Sequence, residues 1–528
     1  MTTVAPLPIV HPPPDHLPTP HPVPPSKPIP TDFRSSLSAW WSNSSYREAR
    51  YAEERLLRRM AMYRPSPNLP VHKGWFGNHH TDPSVNKTTM TVQEVQQREE
   101  VVPPTPVAGT GLVATLKNVF IHTPDPDDAP AHPADPRVTT PATSPSSSTA
   151  TLEKHGWKHK HKHHRKHKDD TLVDYINTLE ISKPEDANAK EAVVVLHGYA
   201  AALGFFFRNW EPISQAGSAT SRRTFFLDWL GMGLSSRPSP DLLSSPSTAS
   251  VPSRVARAEH FFLSSLEEWR QSMGLDRIIL VGHSLGGYLA SAYTVRYPER
   301  VRSLILVSPA GIPRGPEWKH FPTSGQTSEA DMTDMAQHGE PPVAEEEHVP
   351  EPKGEARQWN QNPSMFARGA RRFFIWGWDK GLSPFSILRA LGPWAPMTVG
   401  RYSSRRFVGQ SEEDIRDLHA YIYNTSILKG SGEYCISHIL APGAHARIPI
   451  VDRISKVTCP VTFIYGDNDW MDVDGGHESV KVLNKAGNKQ ATVHVVPKAG
   501  HHVYLDNSEV TNRIIADAIK ACGKAESN

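Results

Sequence analysis

Short apolar runs recur along this chain from residue 191 onward, at Glu191–Leu196, Arg223–Leu227, Arg277–Gly282, Arg302–Val307 and Cys459–Tyr465. Each has the length of a strand and little polar character on either side of a pleat, the pattern of strands covered on both faces. A further stretch, 490–496, alternates (Gln-Ala-Thr-Val-His-Val-Val) and reads as a half-buried strand. Between the third and fourth runs, Leu285 to Tyr297 is a small-residue segment with helical character that stops before Pro298. Strands alternating with helical segments predict an α/β fold with a mainly parallel sheet and helices on both faces.

The chemistry-bearing residues fall where these strands end. Gly282-His283-Ser284-Leu285-Gly286 joins an apolar strand to a helix. A Gly-x-Ser-x-Gly turn in that setting is a nucleophile elbow: a strained turn lifts the serine hydroxyl to a helix N-terminus. Such a serine needs a base, an orienting acid and an oxyanion hole. His501 follows the strand 490–496 and the turn Pro497–Gly500, which makes it the expected base, with His502 as its neighbour. After the strand ending at Tyr465 come Asp467, Asp469 and Asp472. Asp469 is the first choice for the orienting acid and Asp472 the alternative, while Asp467 suits a turn cap. The amides of Tyr199, after His197-Gly198, and of Leu285 are the expected oxyanion donors. His197 is expected to hold its loop from below.

Composition adds boundaries. The chain has 528 residues, a formal charge of +2 and 49 prolines, so much of it is expected outside the packed core. Residues 1–30 read as a disordered Pro-rich tail. An amphipathic helical segment follows at 31–65, carrying Trp40, Trp41 and several arginines. It would either lie on a lipid surface or pack on the domain, and both readings are open. The core is expected at 105–310 and 456–528, with a disordered insert at 124–170. That insert's His155–Lys168 run is a solvated loop in the plain reading and a headgroup- or metal-binding run in the sharper one. Residues 311–455 should form a mostly helical cap with an acidic loop at 321–357. Its aromatics Phe366, Phe373, Phe374, Trp376, Trp378, Phe385 and Trp394 either fill a helical core or line an acyl-chain tunnel. No run reaches the length of a membrane-spanning helix. Three cysteines (Cys435, Cys459, Cys522) give no disulfide framework and suit an intracellular compartment. No metal motif, phosphate loop or nucleic-acid module is present, so neither a metal, a cofactor nor a nucleic-acid partner is expected. Oligomeric state is not legible.

With these residues in place, the chain resembles the phospholipid-acting branch of the α/β-hydrolases: N-acyl-phospholipid lipases, lysophosphatidic-acid acyltransferase proteins and cardiolipin-specific deacylases. The marks are Ala39-Trp-Trp-Ser42, Ala52-Glu-Glu-Arg-Leu-Leu57, His197-Gly198 through Phe205, Asp228-Trp-Leu-Gly-Met-Gly-Leu-Ser-Ser-Arg-Pro238, Ser265–Arg270, Leu304–Pro309, Gly432-Glu433, Arg447-Ile-Pro449 and His501 through Asp506. The resemblance implies an acyltransferase box of His501 and Asp506, the latter serving instead, in a plainer reading, as a helix N-cap or a structural bond near the histidine. It implies a serine hydrolase of phospholipid acyl esters with cardiolipin as favoured substrate, bound peripherally at the inner mitochondrial membrane. The alternatives are a cytoplasmic or lipid-droplet location, a lysophospholipid acyltransferase, and a non-catalytic lipid-binding scaffold, which the presence of Ser284 disfavours.

Overall fold

The computed structural model describes residues 23–43, 46–64, 90–91, 110–131, 172–245, 248–315, 375–378, 381–407 and 410–524. The expectations for the tail up to residue 22, for most of the insert at 124–170 with its His155–Lys168 run, for the acidic loop 321–357, and for Phe366, Phe373 and Phe374 lie outside the described residues.

The described strands are β1 (Tyr63–Arg64), β2 (Met90–Thr91), β3 (Val113–His122), β4 (Leu172–Ser182), β5 (Glu191–Leu196), β6 (Arg223–Leu227), β7 (Arg277–His283), β8 (Val301–Val307), β9 (Leu440–Ala441), β10 (His445–Ala446), β11 (Val461–Gly466) and β12 (Ala491–Val496). The main sheet runs in the order β1-β3-β4-β6-β5-β7-β8-β11-β12, with β2 paired to β4. From β6 to β12 every pairing is parallel. β3, β4 and β6 pair antiparallel at the other side, and β9–β10 is a separate hairpin.

The apolar runs explain the layering. Along β5, Ala192, Val194 and Leu196 face one hydrophobic layer, while Val193 and Val195 face the other. A strand buried on both faces needs helices on both, and the chain supplies them. The longer helices are α1 (Phe33–Asn43), α2 (Tyr46–Leu57), α3 (Trp210–Ala219), α4 (Val251–Ser272), α5 (Leu285–Arg296), α6 (Pro384–Ala390), α7 (Ala395–Arg406), α8 (Glu412–Ile427), α9 (Val473–Lys485) and α10 (Ser508–Ala521). Phe262 and Trp269 of α4, Tyr288 of α5 and Leu483 of α9 join the first layer. Trp210 of α3, Ile515 of α10 and Tyr421 of α8 join the second. Helices α6, α7 and α8 belong to the chain between β8 and β11.

The N-terminal segment corrects the membrane-docking alternative for the helix after Trp41. α2 packs on the domain: Leu56 and Leu57 are fully buried in the second layer, each contributing about 1.5–3 kcal/mol. The arginines of α2 and of the turn after it are held within the chain. Arg50 pairs with Glu53 at 2.8 Å, Arg55 with Asp417 at 2.8 Å, Arg58 with Glu54 at 2.8 Å, and Arg59 with Asp414 and Asp417. An Arg-rich amphipathic helix serves an acidic protein neighbour, here α8, as well as an anionic lipid. β1 then pairs in parallel with β3, so the segment is part of the sheet rather than an appendage. α1 differs. Ser36 anchors it, its hydroxyl donating to Pro393 O (2.6 Å) and accepting from Met397 N–H (3.0 Å). Phe33, Leu37 and Trp41, spaced by four along one helix face, are exposed.

Candidate active site

β5, β7, β11 and β12 all point the same way, so the loops after their C-terminal ends gather at one edge of the sheet. Ser284 lies between β7 and α5 with φ 52° and ψ −119°, a backbone conformation that residues other than glycine rarely adopt. The flanking glycines make the turn possible. A Cβ on Gly282 would stand 2.5 Å from Gly286 O, and one on Gly286 would stand 2.6 Å from both Leu196 O and His197 O. Gly198 is held as tightly, since a Cβ there would meet Ser284 Cβ at 2.9 Å. The loop after β5 is therefore pressed directly against the elbow. At the start of α5 the first i−4 bond runs from Tyr288 N–H to Ser284 O (3.1 Å). The Leu285 amide stands ahead of it, at the positive end of the helix.

His501 closes the arrangement. Its Nε2 lies 3.0 Å from Ser284 Oγ and its Nδ1 3.1 Å from Asp469 Oδ1. With Nδ1–H donating to the carboxylate, Nε2 presents a lone pair to the hydroxyl. Asp469 is buried, which on its own would raise its pKa. The His501 ring and the Met471 amide, which donates to Oδ1 at 3.0 Å, hold the carboxyl below the usual carboxylate range instead. The other two aspartates do different work. Asp472 caps α9, accepting from Asp474 N–H at 2.9 Å. Asp467 accepts from Lys498 and Ala499 N–H at 2.9 and 3.0 Å, stitching the loop after β11 to the one that carries His501. Asp506 accepts from Gly500 N–H (2.9 Å) and from Arg406 (2.9 Å), while both ring nitrogens of His501 are engaged by Asp469 and Ser284.

Tyr199 follows Gly198, with its ring against Phe385 (5.2 Å) and edge-on to Trp378 (6.5 Å). Two of the insert's aromatics thus cover the loop after β5, whereas Trp376 and Trp394 are exposed. His197 Nε2 accepts from Trp229 N–H (3.1 Å), and Trp229 Nε1–H donates back to His197 O (3.0 Å), which pins the base of that loop.

Four residues of the site escaped the sequence reading. His283 donates from Nε2 to His501 O at 3.0 Å, and burial holds its pKa well below the ordinary imidazole value, so it stays neutral. Asp228, fully buried, accepts from Leu203 N–H (2.7 Å), Leu234 N–H (2.8 Å) and Asn177 Nδ2 (2.9 Å). Its signal was the Asp-Trp-Leu-Gly-Met-Gly motif: a Cβ on Gly233 would overlap the Asp228 carboxyl. Trp470, partly exposed, lays its ring 4.8 Å from that of His501. Arg406 reaches the site from the distant α7. Among the described residues no group of His, Cys, Asp or Glu is arranged to hold a metal ion, and no helix is long and apolar enough to cross a membrane.

Comparison with known proteins adds relatives. The family described as alpha/beta hydrolase fold matches residues 191–508. A 1-acylglycerol-3-phosphate O-acyltransferase of Arabidopsis thaliana is 34% identical over 339 residues, 63% of this chain and 66% of that protein, so the chain spans just under two thirds of that relative's length. A (lyso)-N-acylphosphatidylethanolamine lipase of Mus musculus is 30% identical over 332 residues, 62% of this chain and 78% of that protein. Among solved structures, a bacterial membrane phospholipase A is similar at 18% identity and a TM-score of 0.36, over 66% of this chain and 83% of that one. With the family match spanning more than half of the sequence, and the parallel sheet delivering a serine elbow, a histidine and an aspartate to one edge, the chain belongs to the α/β-hydrolase family.

Proposed function

We propose that this chain is a serine hydrolase of phospholipid acyl esters, working at a membrane surface, with an anionic phospholipid as substrate and cardiolipin favoured by the resemblance of its motifs. The observation that carries the reading is the hydrogen-bonded line from Asp469 through His501 to Ser284, at 3.1 and 3.0 Å. In this reading His501 Nε2 takes the Ser284 proton as Oγ attacks the ester carbonyl. The Tyr199 and Leu285 amides hold the oxyanion. His501 then gives its proton to the departing lysophospholipid oxygen, leaving an acyl group on Ser284. Water, deprotonated by the same imidazole, releases the fatty acid. Asp469 supports the imidazolium and fixes its tautomer.

A lipid acyl group as substrate draws support from relatives named for acyl transfer to a lysophospholipid and for N-acyl-phospholipid hydrolysis. The aromatics above Tyr199 suit an acyl chain. Exposed Phe33, Leu37 and Trp41, with Trp394 packed on Phe33 at 4.4 Å, form an apolar face of the kind that enters a headgroup layer. The relatives named as acyltransferases favour one second reading: a lysophospholipid replaces water as acceptor of the Ser284 acyl group.

The test is hydrolysis of cardiolipin and phosphatidylcholine vesicles by the parent and Ser284→Ala, with and without added lysophospholipid. Free fatty acid released faster from cardiolipin, lost in Ser284→Ala, is expected. A new diacyl product at the expense of fatty acid would favour transfer. Turnover surviving in Ser284→Ala would refute both.

A further inference from the structure

The chain from His501 to Asp506 has the spacing of an acyltransferase box, in which the aspartate would serve the histidine. In the folded protein the two are separate. Both imidazole nitrogens are taken, by Asp469 and by Ser284. Asp506 instead spreads its two oxygens over two different parts of the molecule. Oδ2 accepts from the Gly500 N–H at 2.9 Å, immediately before the histidine. Oδ1 accepts from Arg406 at 2.9 Å, an ion pair whose side chains are 10% and 19% exposed. Arg406 is the last residue of α7, and Ser36 pins the other end of that helix to α1.

We infer that Asp506 is a positioning residue: it ties the insert helix α7 to the histidine loop, and through that tie the placement of α7 and α1 sets the seat of His501. Among the groups that hold the loop are three side chains. Asp467 takes the Lys498 and Ala499 amides, His283 takes the His501 carbonyl, and Asp506 takes the Gly500 amide. Two of these come from the sheet's own loops. Asp506 alone of the three links to the insert, so it is the point at which movement of α7 reaches the base. The inference rests on the Ser284 reading for its effect on turnover, but not for its geometry.

Asp506→Asn keeps an oxygen for Gly500 N–H and loses the ion pair. Asp506→Ala loses both, and Arg406→Gln loses the pair from the other side. A partly buried ion pair that seats the loop predicts kcat losses of about three- to tenfold for Asp506→Asn and for Arg406→Gln. The double variant Asp506→Asn/Arg406→Gln should be no worse than either, because both remove one shared interaction. Asp506→Ala should lose about thirtyfold, as an uncompensated amide is added to the lost pair. The pH at which the base titrates in kcat/KM should stay where it is in the parent. A partner of the imidazole behaves otherwise: its loss as Asn costs on the order of ten-thousandfold, and the titration moves. Amide hydrogen exchange of the 497–502 loop supplies a readout free of turnover. It should quicken in Arg406→Gln and most in Asp506→Ala. Losses in Asp506→Asn as large as in Asp469→Asn, multiplicative losses in the double variant, or unchanged loop exchange in every variant would overturn the inference. An inactive parent would instead refute the Ser284 reading, and exchange alone would then decide whether the tie exists.

Discussion

Gly286→Ala is the smallest change that should separate the elbow from its oxyanion loop. The added Cβ would lie 2.6 Å from Leu196 O and from His197 O, both backbone atoms that no rotamer change can move. A carbon–oxygen contact relaxes near about 3.3 Å, so the N-terminus of α5 and the end of β5 must part by about 0.7 Å. Those two segments carry the Leu285 and Tyr199 amides, and a donor pair spread by that amount no longer converges on one oxyanion. Losing a donor outright costs about a hundred- to thousandfold in kcat, and a 1 Å misplacement about a hundredfold. A fall of about ten- to a hundredfold in kcat is therefore expected, with KM within about threefold, since the mismatch is felt where charge develops. The overpacking should also cost about 1–3 kcal/mol of stability. Steady-state kinetics on a short-chain p-nitrophenyl ester, beside urea unfolding, measure both. A kcat within twofold of the parent at unchanged stability would refute the close-approach argument.

Other expectations follow from the same site and its supports. Asp469→Asn should lose on the order of ten-thousandfold in kcat through the wrong imidazole tautomer. Asp472→Ala should keep its kcat and lose about 1 kcal/mol of stability with the cap of α9; ester kinetics and urea melts that reversed this ranking would move the acid to Asp472. Burial pushes the Asp174 carboxyl up to about 6 from 3.8, against the Thr123 and Ser236 hydroxyls that donate to it at 2.7 and 2.8 Å. Its folded pKa is raised, so folding takes up a proton between pH 3.8 and about 6, and the stability it contributes declines as pH rises through that window. Relative to Asp174→Asn, the parent should lose about 3 kcal/mol across it; parallel stability–pH curves for the two proteins would contradict this.

Much of this arrangement was legible in the sequence because it is local. β5 reads as central since its residues are apolar on both faces, and the elbow is marked by glycines whose reason is steric and lies within the motif or one strand away. The choice among Asp467, Asp469 and Asp472 was not decidable in that way. All three follow β11 within six residues, and one caps a helix, one bonds a neighbouring loop and one faces the histidine. Those fates depend on α9 and on the loop after β12. The role of α2 was hidden for a similar reason. Arg55 and, just past the helix end, Arg59 face Asp414 and Asp417, more than 350 residues away, and nothing in the helix itself distinguishes that neighbour from an anionic lipid. The strand order read from apolar runs also began at Glu191. β3 and β4, with charged and polar positions among apolar ones, were not recognised as strands although they form ten register pairs with each other.

The central claim is that Ser284 receives the acyl group of a phospholipid. The most direct measurement is acid quench of the parent during turnover on phospholipid vesicles, followed by peptide mass spectrometry. The account predicts one fatty-acyl increment on the peptide bearing Ser284, absent in Ser284→Ala, with fatty acid release absent in the same variant. Fatty acid release by Ser284→Ala at the parent's rate, with no acyl increment on that peptide in either protein, would contradict it.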